Sequence, residues 1–179
     1  MTRETYNENV KPFLVMVCIC VVVALILSAT NNLTAPVIAE NNAAAAAETR
    51  SAVLPGSGEF TPVEVNCEAL GIDSAFADEN GTGYVITATR SGYKGNVAVT
   101  VGINCDGAVV AVVADVASET KGVGSKAGDA DYLSEFQGLR GSTDEVDVIA
   151  GATYSSSAVQ KGVSAALAAF ETIKEAAQS

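Results

Sequence analysis

Hydrophobic residues follow two different patterns along the chain, and the first is an unbroken apolar run near the N-terminus. Residues 12–29 (PFLVMVCICVVVALILSA) contain no charged side chain, and as a helix they extend roughly 27 Å at about 1.5 Å per residue. The uncharged residues 30–35 lengthen this run towards the ~30 Å hydrocarbon core of a bilayer. We therefore predict a transmembrane helix at residues 12–35. A cleaved signal peptide is an alternative with a shorter apolar region, of ~7–15 residues, and a buried core helix is rarely so uniformly apolar.

The second pattern is alternation of apolar and polar positions, which predicts β-strands. Residues 83–89 and 96–103 alternate, and residues 108–114 form a third β-rich run. Asp106-Gly107 separates the last two runs and is typical of a two-residue hairpin turn. The sequence thus predicts an antiparallel hairpin on either side of residues 106–107.

Helical spacing returns at the C-terminal end of the chain. After a predicted loop at residues 118–128 and a short helix at residues 131–136, residues 155–177 place apolar side chains three or four positions apart. These apolar side chains are Val159, Val163, Leu167, Phe170 and Ile173. An antiparallel sheet packed by helices, an α+β fold, suits this order of elements.

The segment between the apolar run and the strands, residues 36–58, is predicted to be a stalk or linker. Residues 37–50 (VIAENNAAAAAETR) have high helix propensity, and either a helical stalk or a flexible low-complexity linker agrees with this composition. Four helix-breaking residues mark the domain boundary: Pro55, Gly56, Gly58 and Pro62. We therefore expect one folded domain at residues 59–179.

Composition excludes several classes of function. The formal net charge of −11 repels phosphate backbones, so the chain is not predicted to bind nucleic acid. It contains no His, which excludes a Ser-His-Asp triad, a Cys-His pair and a His-ligated metal. The spacings of the four Cys fit no zinc or iron–sulfur pattern. No catalytic residue and no metal site are predicted.

The distribution of charge predicts a topology. Residues 1–11 contain Arg3 and Lys11, and no further Lys or Arg occurs before Arg50. The positive-inside rule therefore makes residues 1–11 cytoplasmic. The 8 basic and 19 acidic side chains of residues 31–179 then lie outside a bacterial cell membrane that the chain crosses once.

The segment DVIAGATYSS, at residues 147–156, combines small residues with a predicted helix start. A helix N-terminus favours phosphate, because its first N–H groups are unpaired and the helix dipole is positive there. Thr153 or Ser155 could equally serve as an ordinary N-cap, a very common role for Ser and Thr. Helix physics by itself favours the cap.

Two motifs resemble the FMN-binding domain family, which is shared by the G subunit of the Rnf complex and the C subunit of the sodium-pumping NADH:quinone oxidoreductase. Asp147, Gly151, Ala152 and Thr153 match its flavinylation motif, in which Asp is followed three residues on by Ser or Thr and then Gly-Ala-Thr. Ala150 stands where that Ser or Thr is usual. Residues 118–124 (SETKGVG) are similar to the family's Glu-Thr-x-Gly-x-Gly loop. The chain's length is more similar to the Rnf member.

This resemblance implies that FMN is bound covalently, through a phosphoester to Thr153. It also implies a set of cofactor-binding neighbours: Gly151, Ala152, Tyr154, Ser155, Glu119, Thr120, Gly122 and Gly124. Asp147 then has three possible roles: the modifying enzyme recognises it, it helps to position Thr153, or it is an exposed turn residue. The resemblance further implies a separate flavin transferase that uses FAD and a divalent cation.

The cysteines and tyrosines of the predicted domain also have ordinary structural interpretations. Cys67 and Cys105 both belong to the predicted external domain, where a disulfide is permitted, and their pairing stays open. Four tyrosines could contact a flavin ring, although ordinary packing is the default for each: Tyr84, Tyr93, Tyr132 and Tyr154. Tyr154 is the best candidate of the four, because it adjoins Thr153.

Three functions follow from these observations. The favoured one, implied by the resemblance, is an electron-carrying subunit of an Rnf-type ferredoxin:NAD oxidoreductase, a translocase that couples electron transfer to ion transport. Its partners would be the other Rnf subunits and the lipid bilayer, and the chain would not be catalytic by itself. The alternatives are a stand-alone membrane-anchored FMN-binding protein and a surface protein in which Gly-Ala-Thr only begins a helix.

Overall fold

A computed structural model describes residues 11–63 and 66–178, and contacts divide these residues into two units. The first unit ends at Ala46 and the second begins at Ala47. Helix α1 spans Lys11–Val53, so its last residues belong to the second unit. Val53 and Leu54 fall in the predicted linker, yet both are buried in that unit's core.

Helix α1 contains the predicted transmembrane segment. Among the described residues one helix is long and apolar enough to cross a membrane, by length and composition. Its large apolar side chains between Phe13 and Ile38 are exposed, an arrangement that suits an apolar solvent. The hydroxyls of Thr30 and Thr34 donate to carbonyls one turn back, of Ile26 and Thr30, at 2.9 and 3.0 Å. Residues 37–50 are also helical, as in the stalk interpretation.

The second unit contains a five-stranded antiparallel sheet in the order β1-β2-β3-β4-β5. Its strands are β1 Phe60–Pro62, β2 Ser74–Asp78, β3 Gly83–Ser91, β4 Asn96–Asn104 and β5 Val109–Asp115. A short helix α2, Cys67–Leu70, precedes β2. The predicted strands correspond to β3, β4 and β5, whereas the sequence pattern does not predict β1, α2 or β2.

Helix α4, Thr153–Gln178, covers one face of this sheet. Alternate side chains of β3 and β4, such as Ile86 and Val99, pack with Val163 and Phe170 of α4 in one buried cluster. A Cβ at Gly162 would lie 2.7 Å from a Val99 methyl carbon, so glycine there permits close approach of helix and sheet. The α+β class is confirmed. The helix starts at Thr153 rather than at the predicted Ser155.

The opposite face of the sheet is partly covered by the end of α1. Val53, Leu54 and Val85 form a second buried cluster. A Cβ at Gly102 would overlap the carbonyl group of Val53, so the backbone of β4 meets the helix end directly. This contact makes residues 47–54 an integral part of the second unit.

The segment between β5 and α4 is mostly loop. It contains a 3-10 helix at Gly124–Gly128 and a short helix α3 at Ala130–Ser134. The predicted helix at residues 131–136 therefore forms only in part, although Phe136 is fully buried. Cys67 and Cys105 are free thiols, and the Cys105 Sγ–H donates to the carbonyl of Gly81 at 2.7 Å.

Candidate functional site

A cleft of about 400 Å³ opens where the β3–β4 turn, the loop after β5 and the first turn of α4 meet. This volume lies within the ~300–1,000 Å³ that is typical of small-molecule sites. Its lining consists of Tyr93, Glu119, Thr120, Val123, Gly124, Gly151, Ala152, Thr153, Tyr154 and Ser155. Three segments distant in sequence thus form one concave surface.

The floor of the cleft is a tight turn that leads into α4. The Ala152 N–H donates to the carbonyl of Ile149 at 3.0 Å, and Gly151 has φ of +82°. A type II turn needs positive φ at its third position, which glycine adopts without a Cβ penalty. The Gly of the Gly-Ala-Thr motif is therefore required by backbone geometry.

Side chains from α4 hold this turn in place. The Ser156 hydroxyl accepts from the Ile149 N–H at 3.0 Å and donates to the carbonyl of Ala152 at 3.0 Å. One turn further, the Gln160 amide donates to the carbonyls of Thr143 and Val146 at 3.1 and 2.9 Å. The approach to Thr153 is consequently rigid.

Thr153 is the first residue of α4 and is exposed. The first N–H groups of a helix lack intrahelical acceptors, and in α4 the Ser156 N–H is bonded to the Ala152 carbonyl at 2.9 Å. The Thr153 side chain therefore lies in the region where the N–H groups and the helix dipole favour an anion.

Glu119 forms the inner wall of the cleft and is 5% exposed. Its carboxylate accepts from the N–H groups of Tyr93, Lys94 and Gly95 at 3.3, 3.0 and 3.2 Å. It also accepts from the Ser155 hydroxyl at 2.5 Å. Burial raises the pKa of Glu119, but the hydrogen bonds from Ser155 and the three amides outweigh it, so the pKa lies below its ordinary value. Glu119 is thus an ionised, fully engaged acceptor.

Two exposed tyrosines flank the mouth of the cleft. Tyr93 and Tyr154 are 71% and 70% exposed, and their ring centroids are 6.1 Å apart with the planes tilted by 45°. Aromatic rings at this separation attract each other and offer faces to a further planar ring. Tyr132, by contrast, is buried; burial and the charge of Glu135 raise its pKa to about 12.

Most of the predicted site residues lie together. Eight of them line the cleft: Thr153, Gly151, Ala152, Tyr154, Ser155, Glu119, Thr120 and Gly124. Gly122 and Asp147 are exposed and lie outside this lining. The Ser155 hydroxyl donates its proton in a hydrogen bond to Glu119.

Sequence reasoning misses the supporting residues of the site. Ser156 and Gln160 lie on the same helix as Thr153. Their spacing of three and four residues places them on one face of that helix, and this spacing is the signal in the sequence that could have indicated their role. Tyr93 is expected from the sequence in ordinary packing, with contact to a flavin ring as the alternative. Its backbone N–H is hydrogen-bonded at the cleft to Glu119, which is twenty-six residues away in sequence. No local sequence pattern predicts that contact.

Comparison with known proteins agrees with this geometry. Residues 92–168 match the FMN-binding domain family, and this segment contains every residue that lines the cleft. The chain is 28% identical to the G subunit of the Na⁺-translocating ferredoxin:NAD⁺ oxidoreductase complex of Acetobacterium woodii, over 90% of this chain and 91% of the relative. It is 25% identical to the G subunit of the proton-translocating ferredoxin:NAD⁺ oxidoreductase complex of Clostridium ljungdahlii, over 83% and 84%. The chain is therefore similar to these G subunits over most of its length, and its residues 92–168 match the FMN-binding domain family.

Proposed function

We propose that this chain carries FMN in the cleft, bound covalently through a phosphoester to Thr153. The observation that carries the proposal is the exposed Thr153 hydroxyl at the N-terminus of the 26-residue helix α4, in a cleft within the family-matched segment. When bound, FMN would supply the electron-transfer chemistry.

The residues present suit the two ends of this cofactor. The helix N-terminus and the turn at Gly151 suit a phosphate next to Thr153, because backbone N–H groups and the helix dipole favour negative charge there. Tyr154 and the wall formed by Thr120 and Gly124 would surround the ring system. The exposed ring of Tyr154 suits stacking, and Ala152 is small enough to leave the cleft open.

Attachment to Thr153 requires a partner enzyme. Glu119 is the carboxylate of the cleft lining, and it is occupied by four hydrogen bonds. A flavin transferase would therefore supply the base. The Thr153 oxygen would attack the FMN phosphorus of FAD, the pyrophosphate bond would break, AMP would leave, and the hydroxyl proton would pass to the transferase. Asp147, exposed beside the motif, would be available to that enzyme.

The electron-carrying role follows from the relatives. Because the similarity to the two G subunits covers most of the chain, we propose that it serves in an ion-translocating ferredoxin:NAD⁺ oxidoreductase complex. Helix α1 would cross the bacterial cell membrane once, with residues 1–11 in the cytoplasm and the flavin domain outside. The other components of the complex and the lipid bilayer would be its partners.

Denaturing gel electrophoresis tests the covalent site. Full-length protein, produced together with a flavin transferase, should keep flavin fluorescence in the gel. Thr153→Ala should lose it. Thr172→Ala removes another exposed threonine of the same helix and should retain it. Fluorescent Thr153→Ala protein would contradict the proposal.

The second candidate function is that of a stand-alone membrane-anchored flavoprotein. It would use the same cleft and the same membrane helix as the first. Affinity purification from mild detergent distinguishes the two. Recovery of further redox proteins with the tagged chain supports the complex. Recovery of the flavinylated chain without them supports the stand-alone carrier.

A further inference from the structure

Among the residues that the structure describes in the second unit, two buried carboxylates accept several hydrogen bonds, and one of the two adjoins the cleft. Glu119 and Asp78 are each 5% exposed. Asp78 accepts from the Gly58 N–H at 2.6 Å and from the N–H and hydroxyl of Thr82 at 3.1 and 2.6 Å. It closes a turn at the β2–β3 end. Glu119, by contrast, joins three separate parts of the cleft.

The contacts of Glu119 connect the β3–β4 turn to α4. The Glu119 Oε1 accepts from the N–H groups of Lys94 and Gly95 in that turn. Its Oε2 accepts both from the Tyr93 N–H in the turn and from the Ser155 hydroxyl in α4. Glycines make room for this arrangement. A Cβ at Gly92 would lie 2.5 Å from Glu119 Oε1, and one at Gly124 would lie 2.8 Å from Oε2.

Both tyrosines of the cleft mouth adjoin a group bound by Glu119. The backbone N–H of Tyr93 is itself one of the donors, and Tyr154 immediately precedes the donor Ser155. A single carboxylate therefore bonds the backbone of Tyr93 and the side chain of the residue that follows Tyr154, and the two tyrosine rings form a pair. Neither ring is fixed by burial, since both are largely exposed.

We propose that Glu119 is a positioning residue. By fixing the turn at residues 92–95 to the first turn of α4, it holds Tyr93 and Tyr154 as one aromatic platform for the flavin ring, without contacting the flavin. This inference rests on the proposed function, since it concerns the flavin attached at Thr153. It adds Tyr93 as a contact of the ring.

Glu119→Gln tests this role, with Asp78→Asn as the matched control. Gln keeps the size of the side chain but has one acceptor oxygen and one NH₂ group in place of two carboxylate oxygens, so the backbone N–H groups that face the NH₂ lose their acceptor. Asp78→Asn makes the same chemical change in an equally buried carboxylate outside the cleft lining. The readout is the fluorescence yield of the covalent flavin, which stacking on tyrosine quenches, together with its quenching by iodide.

We expect flavinylated Glu119→Gln protein to fluoresce more strongly than wild type, because the ratio of stacked to unstacked flavin should fall by roughly two- to tenfold, the range that one aromatic pair's stabilisation corresponds to. Iodide should quench it more. Asp78→Asn should match wild type. Tyr93→Leu should raise the yield similarly, and adding Glu119→Gln to it should have no further effect, since interacting residues are not additive.

The outcomes separate this inference from the proposed function. Flavinylated Glu119→Gln with wild-type fluorescence, or an equal change in Asp78→Asn, overturns the positioning role and leaves the covalent site standing. Absence of flavin from wild-type protein overturns both. If Glu119→Gln fails to fold, Ser155→Ala, which removes one donor and keeps the turn bonds, should raise the yield in the same direction; an unchanged yield there overturns the role.

Discussion

At the scale of single residues, exposure distinguishes Thr153 from the serines of its helical turn. Ser155 and Ser156 are buried, and their hydroxyls donate to Glu119 and to the carbonyl of Ala152. Ser157 is half-buried. Thr153 is the exposed one of these four aliphatic hydroxyl side chains, so an external enzyme that requires a reachable aliphatic hydroxyl would select it.

Glu119 should make stability depend on pH. Its pKa is lower in the folded protein than its ordinary value of 4.5. Its contribution is therefore complete above that ordinary value and is lost as pH falls through the folded-state pKa. Urea unfolding of the wild type should show decreasing stability on acidification below about pH 5.

Glu119→Gln should weaken this decrease, because Gln does not titrate. Asp78, whose pKa is lowered chiefly by the Thr82 hydroxyl, should continue to contribute in that variant. A pH profile of Glu119→Gln parallel to that of the wild type would show that Glu119 is not held ionised by its partners.

At the scale of elements, the local sequence pattern predicts the long strands. It misses the short strands, whose formation depends on pairing with a neighbouring strand. Alternation identifies β3 and β4, and the three- and four-residue spacing identifies α4. Strand β2 contains Ser, two Ala and Asp, residues with little preference for strands. It forms because Ala75 pairs with Ile86 in β3. Strand β1 has three residues and ends in Pro62, as suits an edge strand.

Some features of the site are likewise predictable from a short stretch of sequence, whereas others depend on contacts between distant residues. The turn at Gly151 and the helix start at Thr153 are encoded within a few residues, so a short motif is enough to predict them. The position of Tyr93 depends on Glu119 accepting from a turn in another part of the sheet. Such a contact exists only after the strands have paired.

The contact between β4 and the end of α1 gives a prediction at this scale. Gly102→Ala places a methyl group against the carbonyl of Val53, and overpacking of this kind costs about 1–3 kcal/mol. Ala98→Ser, at a half-buried position on the same face of β4, should cost less. Urea denaturation of both variants checks this, and equal stability would show that α1 does not pack on Gly102.

At the scale of the whole molecule, the charge distribution predicts that the flavin domain lies outside the cell. Cys105 offers a native reporter, because its thiol is free and exposed. A membrane-impermeant maleimide should label it in intact cells, and Cys105→Ser should lose that label. Labelling of Cys105 only after lysis would place the domain in the cytoplasm and reverse the proposed topology.

The mass of one tryptic peptide tests the central claim most directly. Cleavage after Arg140 and Lys161 releases residues 141–161, which contain Thr153 and the other hydroxyl side chains of the motif. In protein produced with an active flavin transferase, we predict that this peptide gains the mass of FMN minus water, and that fragmentation assigns the gain to Thr153. An unmodified peptide under those conditions, or a gain assigned to another residue, would contradict the account.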